Sequence, residues 1–498
     1  MHKVYVRELK PYSLAALSSL FGCSFSQAKI LVGDLMTHGI VRYRTGTKSI
    51  PEEDDTEGAA PDELYQFRFV GLVVWGDALI VAYPKYFRDR IPTDDELRLI
   101  LRLLKRDAGV AAVANIEDGG TATDDKLPVM LALLDLYGEH GEYSNYIEGR
   151  ELNGNGVIDW NRTIDSHLPI VQEGQPIYTE FEARKAFRND SDYITRLHRA
   201  VLTACSREFR EAGIDKLLSL DELCLSDEKV EDFGDTETLS YRLEHERAIQ
   251  FIDWKLLTID LLERFLLAHE SEVHRDEMQA LGTTAFYKVW EDACKAAFGD
   301  ALNKRLDDLG FTIEGNWSAD SQKKLIEIIP RPQWERWLGD NFGKREDTDT
   351  LIPDTITIAE GQGGERVLCI YDAKHYVPST SGKMKHQPGV ESVAKQFLYQ
   401  SAYREFIKEH KFDRVANAFL VPGTVDTSKL IARVSFPGVI TKEKKPFDNF
   451  IYMWMLPAHD VFKAYLDGEI LCSEIIQIAS MGINCSTLKD HEAPHKSA

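Results

Sequence analysis

The residues best placed for chemistry lie at 348–376, TDTLIPDTITIAEGQGGERVLCIYDAKHY. Two apolar, strand-like runs flank a turn, Glu360-Gly361-Gln362-Gly363-Gly364-Glu365; Asp354 lies in the first run, and Asp372 and Lys374 lie at the end of the second. In a hairpin, residues equidistant from the turn centre face each other, and Asp354 and Asp372 are equidistant from Gly363. The spacing predicts a cross-strand pair with Cβ atoms about 4.5–5.5 Å apart. Two carboxylates so close repel unless a cation lies between them. Mg2+ suits such a pair, since it takes one or two carboxylates together with water and phosphate oxygens. Period-two alternation puts Lys374 on the face of Asp372. Its ammonium can there orient or deprotonate an attacking water, or stabilise a phosphate under attack. Pro353-Asp354 followed by Asp372-x-Lys374 is the pattern PD…DxK, which suits metal-assisted hydrolysis of a phosphodiester. The plainer alternative is an exposed hairpin with a surface Asp–Lys pair.

Two helices supply further candidates. Over 286–298, Phe286, Val289, Trp290, Ala293 and Ala297 share one face, and Glu291 falls in a second stripe with Tyr287, Cys294 and Phe298. A carboxylate in an apolar stripe needs a partner, either water held by the cation or a backbone hydrogen bond. Over 391–409, Gln396, Tyr399, Gln400 and Tyr403 recur at helical spacing. Gln396 can then assist at the site, and Gln400 can contact a phosphate or a base edge. Lys383, Lys385, Lys395 and the pair Lys444 and Lys445 can line a DNA path.

The elements that must hold these residues belong to a chain of 498 residues, too long for one core, so about three domains are expected. A net charge of −22 argues against coating nucleic acid by bulk attraction. Two basic islands interrupt it: seven Lys and Arg against two acids in residues 1–50, and thirteen against eight in 371–450. They hint at two polyanion contacts. No apolar run is long enough to span a membrane, the first residues do not read as a secretory signal, and the seven cysteines lack C-x-x-C spacing. A cytoplasmic, reducing location is expected.

Ser13 can cap a first helix that ends at Gly22, Ser24 or Ser26 a second that stops at Gly39, and residues 40–44 alternate like a strand. Helix, turn, helix, strand is the order of a winged helix, with Lys29, Arg42 and Arg44 as its basic groups; such units dock on DNA or on protein. Residues 51–63 read as an acidic linker, 65–83 as strands turning at Gly76-Asp77, and 94–104 as a helix. From 126 to about 274 the pattern is mostly helical, with one long helix over 240–269 and a Gly/Asn-rich turn patch at 153–164. No G-x-x-x-x-G-K-[ST] motif occurs, so any nucleotide hydrolysis needs another chain.

The ordered set Phe67-Arg68-Phe69-Val70-Gly71, Tyr83-Pro84-Lys85-Tyr86-Phe87, Gly154-Asn155-Gly156, Trp160–Ile164, Val289-Trp290-Glu291, Ile352-Pro353-Asp354, Tyr371-Asp372-Ala373-Lys374 and the Gln396/Tyr399/Gln400 helix resembles the LlaJI family of restriction endonucleases, relatives of McrC. The resemblance covers about residues 60 to 460. It implies a PD-(D/E)xK nuclease that cuts double-stranded DNA in prokaryotic anti-phage defence, using Mg2+ (with Mn2+ able to substitute) and working with a McrB-like AAA+ GTPase hexamer. Self-association for double-strand cleavage would fit, and no membrane is involved. The non-nuclease half would dock on the motor and stimulate GTP hydrolysis, with Asn161 or Arg162 reaching a neighbouring GTP site. The expected fold is α+β and multidomain: a winged-helix-like unit at 1–60, a β-rich partner-docking domain at 61–180, a helical connector at 181–280, and a PD-(D/E)xK nuclease at 281–485. Asp354 and Asp372 are the expected metal ligands; Lys374, Glu291 and Gln396 complete the catalytic set. The alternative is a non-catalytic DNA-binding or scaffold subunit that stimulates a motor.

Overall fold

The computed structural model describes residues 2–44, 64–76, 78–88, 90–117, 126–272, 278–347, 349–361, 364–379, 382–440 and 444–480. The acidic linker at 51–63 and the loop at 119–125 lie outside them. The fold is mixed α/β, and it divides into two compact units that do not follow the boundaries expected from sequence. One is built mainly from residues 104–282, with 72–80. The other combines 4–71 and 81–103 with everything from 283 onward. Residues 4–71 thus share a compact unit with 81–103 and the segment after 283. The reason is visible at Glu8, whose carboxylate accepts the Lys85 N–H at 3.1 Å and lies 3.9 Å from His375 Nδ1.

In the first of these units, helices Lys126–His140, Tyr193–Glu211, Thr236–Ile249 and Asp253–Glu272 enclose a buried polar knot. Tyr143 donates its hydroxyl to Glu246 at 2.6 Å, Asn145 donates to the same carboxylate at 2.7 Å, and Lys255 donates to the Ser144 carbonyl at 2.6 Å. The long helix expected over 240–269 is broken at Gln250, whose side-chain oxygen accepts the N–H groups of Phe251 and Ile252 and holds the turn before the next helix. The turn patch follows strand Tyr146–Leu152 and contains strand Val157–Ile158, and both pair with Glu182–Arg188. Gly156 is required there: a Cβ would stand 1.9 Å from the Arg184 carbonyl oxygen. Asp159 then caps helix Trp160–Ser166 by accepting the Arg162 N–H.

The second unit begins with the expected helical pair. Ser13 accepts the Ala16 N–H at the head of Leu14–Phe21, and Ser24 with Gln27 forms a capping box on Phe25–Thr37. Gly22 and Gly39, at φ 61° and 70°, make the left-handed stops. Strand Val41–Arg44 follows, but its partner is Leu64–Phe67, which also pairs with Pro11–Ser13. Residues 64–67 thus leave the downstream hairpin and close a three-stranded sheet, with the Phe67 ring edge-on to Tyr12 at 6.0 Å.

The largest sheet has five strands in the order Thr355–Glu360, Arg366–Ala373, Arg414–Gly423, Ile451–Pro457, Lys429–Val434. Its two outer pairs are antiparallel and its inner pairs parallel. Arg414–Gly423 is buried along its whole length, as a central parallel strand should be. Helix Val390–Ala402 makes the crossover into it. The helix expected over 391–409 is two, Val390–Ala402 and Arg404–Glu409, meeting at Tyr403.

Candidate active site

Strand register decides the site. Thr355 pairs with Tyr371 and Ile356 with Ile370, so the next rung places Asp354 opposite Asp372. The pair ends a face whose inner residues Ile356, Leu368 and Ile370 pack with Tyr399 and Tyr403 in one apolar cluster. That burial holds the register, since a one-residue slip would turn every apolar side chain outward. Asp354 Oδ2 accepts the Ala373 N–H at 3.0 Å, and the Tyr399 hydroxyl donates to the Ile352 carbonyl at 3.0 Å, so both ends of Pro353-Asp354 are tied down.

Lys374 bridges the carboxylates, with Nζ 2.8 Å from Asp372 Oδ2 and 3.8 Å from Asp354 Oδ2. Asp372 is buried, and burial with the neighbouring Asp354 charge pushes its carboxyl far above the usual range, to about 7. Burial works against the Lys374 ammonium, yet the Asp372 and Asp354 carboxylates raise its pKa above the ordinary lysine value. Glu291 stands half-buried on helix Phe286–Ala297, which Trp290 pins to the sheet by donating to the Leu420 carbonyl at 3.0 Å. Desolvation and the Asp354 charge raise the Glu291 carboxyl, while Lys374 opposes the shift. Among the described residues no hydrogen bond holds the Glu291 carboxylate, so the backbone partner considered from sequence is not there.

The fit of a divalent cation can be judged from this donor set. An ammonium already sits between the two carboxylates, so positive charge is accommodated there. Among the described residues no three His, Cys, Asp or Glu side chains are grouped as a ready ligand set. Two hard carboxylates suit Mg2+, which completes its shell with water and phosphate oxygens, rather than an all-protein cage.

The family model of the LlaJI restriction endonuclease matches residues 69–319 and 315–439, well over half of the chain. This chain belongs to the LlaJI restriction endonuclease family. One relative is the type II restriction enzyme BsuMI component YdjA of Bacillus subtilis (strain 168), 25% identical over an alignment of 384 residues that covers 74% of this chain and 76% of that protein. Among solved structures, a half-complex from a tetradecameric assembly of Thermococcus gammatolerans McrB AAA+ hexamers with bound McrC is similar at a TM-score of 0.35 and 12% identity, over 93% of this chain and 99% of that one. The cryo-EM structure of the Thermococcus gammatolerans McrBC complex is similar at 0.21 and 13%, over 54% and 87%.

The LlaJI-family chain thus brings together Asp354, Asp372, Lys374 and Glu291, but not every residue expected from sequence. Gln396 is fully buried and donates to the Ala418 carbonyl at 3.3 Å, fastening helix Val390–Ala402 to the central strand. Gln400 is also interior and donates to the Asp448 carbonyl at 3.0 Å, which corrects the expected DNA contact. Helical spacing located their stripe but not the side of it that the sheet covers. Lys383, Lys385, Lys444 and Lys445 are exposed. Asn161 and Arg162 are exposed in the other unit. Sequence reasoning missed the anchoring hydroxyl of Tyr399 and the buried His375. The imidazole of His375 lies against Phe286 at 5.3 Å, and burial lowers its pKa well below the usual histidine value. Among the described residues no single helix is long and apolar enough to cross a membrane.

Proposed function

We propose that this chain is the nuclease subunit of a prokaryotic anti-phage restriction system, hydrolysing phosphodiesters of double-stranded DNA in a Mg2+-dependent reaction with a PD-(D/E)xK site. The observation that carries this is the convergence of Asp354, Asp372 and Lys374 at one end of a register-locked hairpin. Asp354 and Asp372 would hold Mg2+, or Mn2+ in its place. The ion would supply charge neutralisation at the phosphate and lower the pKa of water. Lys374, displaced from between the carboxylates, is free to orient the attacking water or to neutralise the phosphate. The half-buried Glu291 carboxylate can accept a proton from that water.

The partner in this reading is a McrB-like AAA+ GTPase hexamer, consistent with a sequence that has no phosphate-cradling loop of its own. Exposed apolar side chains in the 104–282 unit support docking there: Trp160, Ile164, Leu168 and Val171 are more than half exposed. Arg162, beside them, is offered to the partner's nucleotide. Self-association would place two nuclease sites on the two strands. The test is cleavage of duplex DNA by the full chain with its motor, in Mg2+ and in EDTA. Metal-dependent cleavage that Asp372→Ala abolishes is expected. Wild-type cleavage by that variant, or full activity in EDTA, would refute the reading and favour a scaffold subunit.

A further inference from the structure

Lys374 and Glu291 open onto a cleft of about 1100 Å³ whose far wall is the N-terminal helix–turn–strand element. Every residue lining it lies in the same compact unit. Arg42 on strand Val41–Arg44, Arg68 just beyond strand Leu64–Phe67, and Lys85 on the turn after Tyr83 all face it. Arg42 and Arg68 are exposed, and among the described residues none of the three side-chain cations forms an ion pair with a carboxylate. The cleft also contains the carboxylates Glu8 and Glu291. Glu8 is engaged by the Lys85 N–H and lies beside His375, and Glu291 belongs to the catalytic end. Four cations, counting Lys374, thus face one groove in a chain of net charge −22.

The wall is also anchored. Arg7 donates to the Arg88 carbonyl, Arg88 donates to the Pro378 carbonyl at 2.6 Å, and the Arg68 N–H donates to the Ile40 carbonyl at 2.8 Å. Tyr86 packs on His375, next to Lys374, with ring centres 6.2 Å apart. Guanidinium groups left without carboxylates beside a phosphodiester-cleaving centre have one chemical complement at hand, the phosphates on either side of the one being cut.

We propose that this cleft seats the DNA strand being cut, and that Arg42, Arg68 and Lys85 bind phosphates flanking the scissile one. The N-terminal element is then part of the nuclease's substrate site rather than a separate recognition module. This rests on the nuclease reading only for the identity of the occupant.

The test uses the full chain carrying Asp372→Asn, which binds without cutting, and a labelled duplex titrated at several salt concentrations. Adding Arg42→Ala and Arg68→Ala should weaken binding about tenfold or more and flatten the slope of log K against log salt by roughly 2, since each phosphate contact contributes about 0.9. Arg42→Glu should weaken it further. In the cleaving chain the Arg42→Ala/Arg68→Ala pair should raise KM more than it lowers kcat. Both arginines are surface residues, so the thermal transition should stay in place and exclude misfolding. Unchanged affinity and slope in the double variant would overturn the proposal, as would absence of any duplex binding. A chain that binds DNA with an Arg42/Arg68-dependent slope but never cuts it would refute the nuclease reading while upholding the cleft.

Discussion

Asp372 is held in a state that folding alone disfavours. Burial and the neighbouring Asp354 charge raise its carboxyl well above the ordinary value that it keeps in the unfolded chain. Between those values the folded state binds more protons, so stability without metal falls as pH rises toward 7. The Lys374 ammonium offsets part of this. We therefore expect Asp372→Asn to abolish cleavage yet raise the metal-free melting temperature at neutral pH, by the equivalent of about 1–3 kcal/mol, with the gain vanishing in acid. Thermal melts in EDTA across pH check it. Because the ion must displace that proton, the Mg2+ concentration for half-maximal cleavage should fall as pH rises through about 7, a dependence readable from Mg2+ titrations at fixed DNA.

Elements position these residues through a few local devices. The hairpin's register follows from alternation and the central turn, which made Asp354 opposite Asp372 legible from spacing alone. The capping box at Ser24 and Gln27 was legible for the same reason, since caps are local chemistry. Ser24→Ala should remove about 1 kcal/mol from the unit that contains it, measured by chemical denaturation. Gly156 is a sterner case. With the Arg184 carbonyl 1.9 Å from where a Cβ would lie, Gly156→Ala should destabilise the 104–282 unit by about 2–4 kcal/mol. If that unit is the docking half, motor binding should drop with it while Mg2+ affinity at Asp372 stays. Arg162→Ala should instead lower stimulated GTP hydrolysis more than assembly, because an arginine presented to a γ-phosphate acts mainly in the transition state.

At the scale of the whole molecule, the division into units changes how the chain can be cut. A fragment lacking residues 1–280 would keep all five strands of the large sheet but lose 4–71 and 81–103, which belong to the same compact unit. It should lose the Glu8–Lys85 and Arg88–Pro378 contacts and uncover His375 and Phe462, on which Tyr86 packs. We expect it to unfold at lower denaturant and with a shallower transition than the full chain, which urea titration followed by fluorescence would show. A fragment as stable as the parent unit would contradict the division.

The helical pair and its stops, the strands of the hairpin, and the facing of Asp354, Asp372 and Lys374 were determined by sequence alone. Each rests on an interaction within a few residues or across one tight turn, where period and cap chemistry suffice. Tertiary structure decided the rest. Strand 64–67 left its neighbour to pair with residues 11–13 and 41–44, Gln396 and Gln400 came to lie in the interior, and residues near the start came to wall the cleft at Lys374. No spacing rule encodes those outcomes, because they depend on which face of a helix a sheet covers and on contacts between residues hundreds of positions apart.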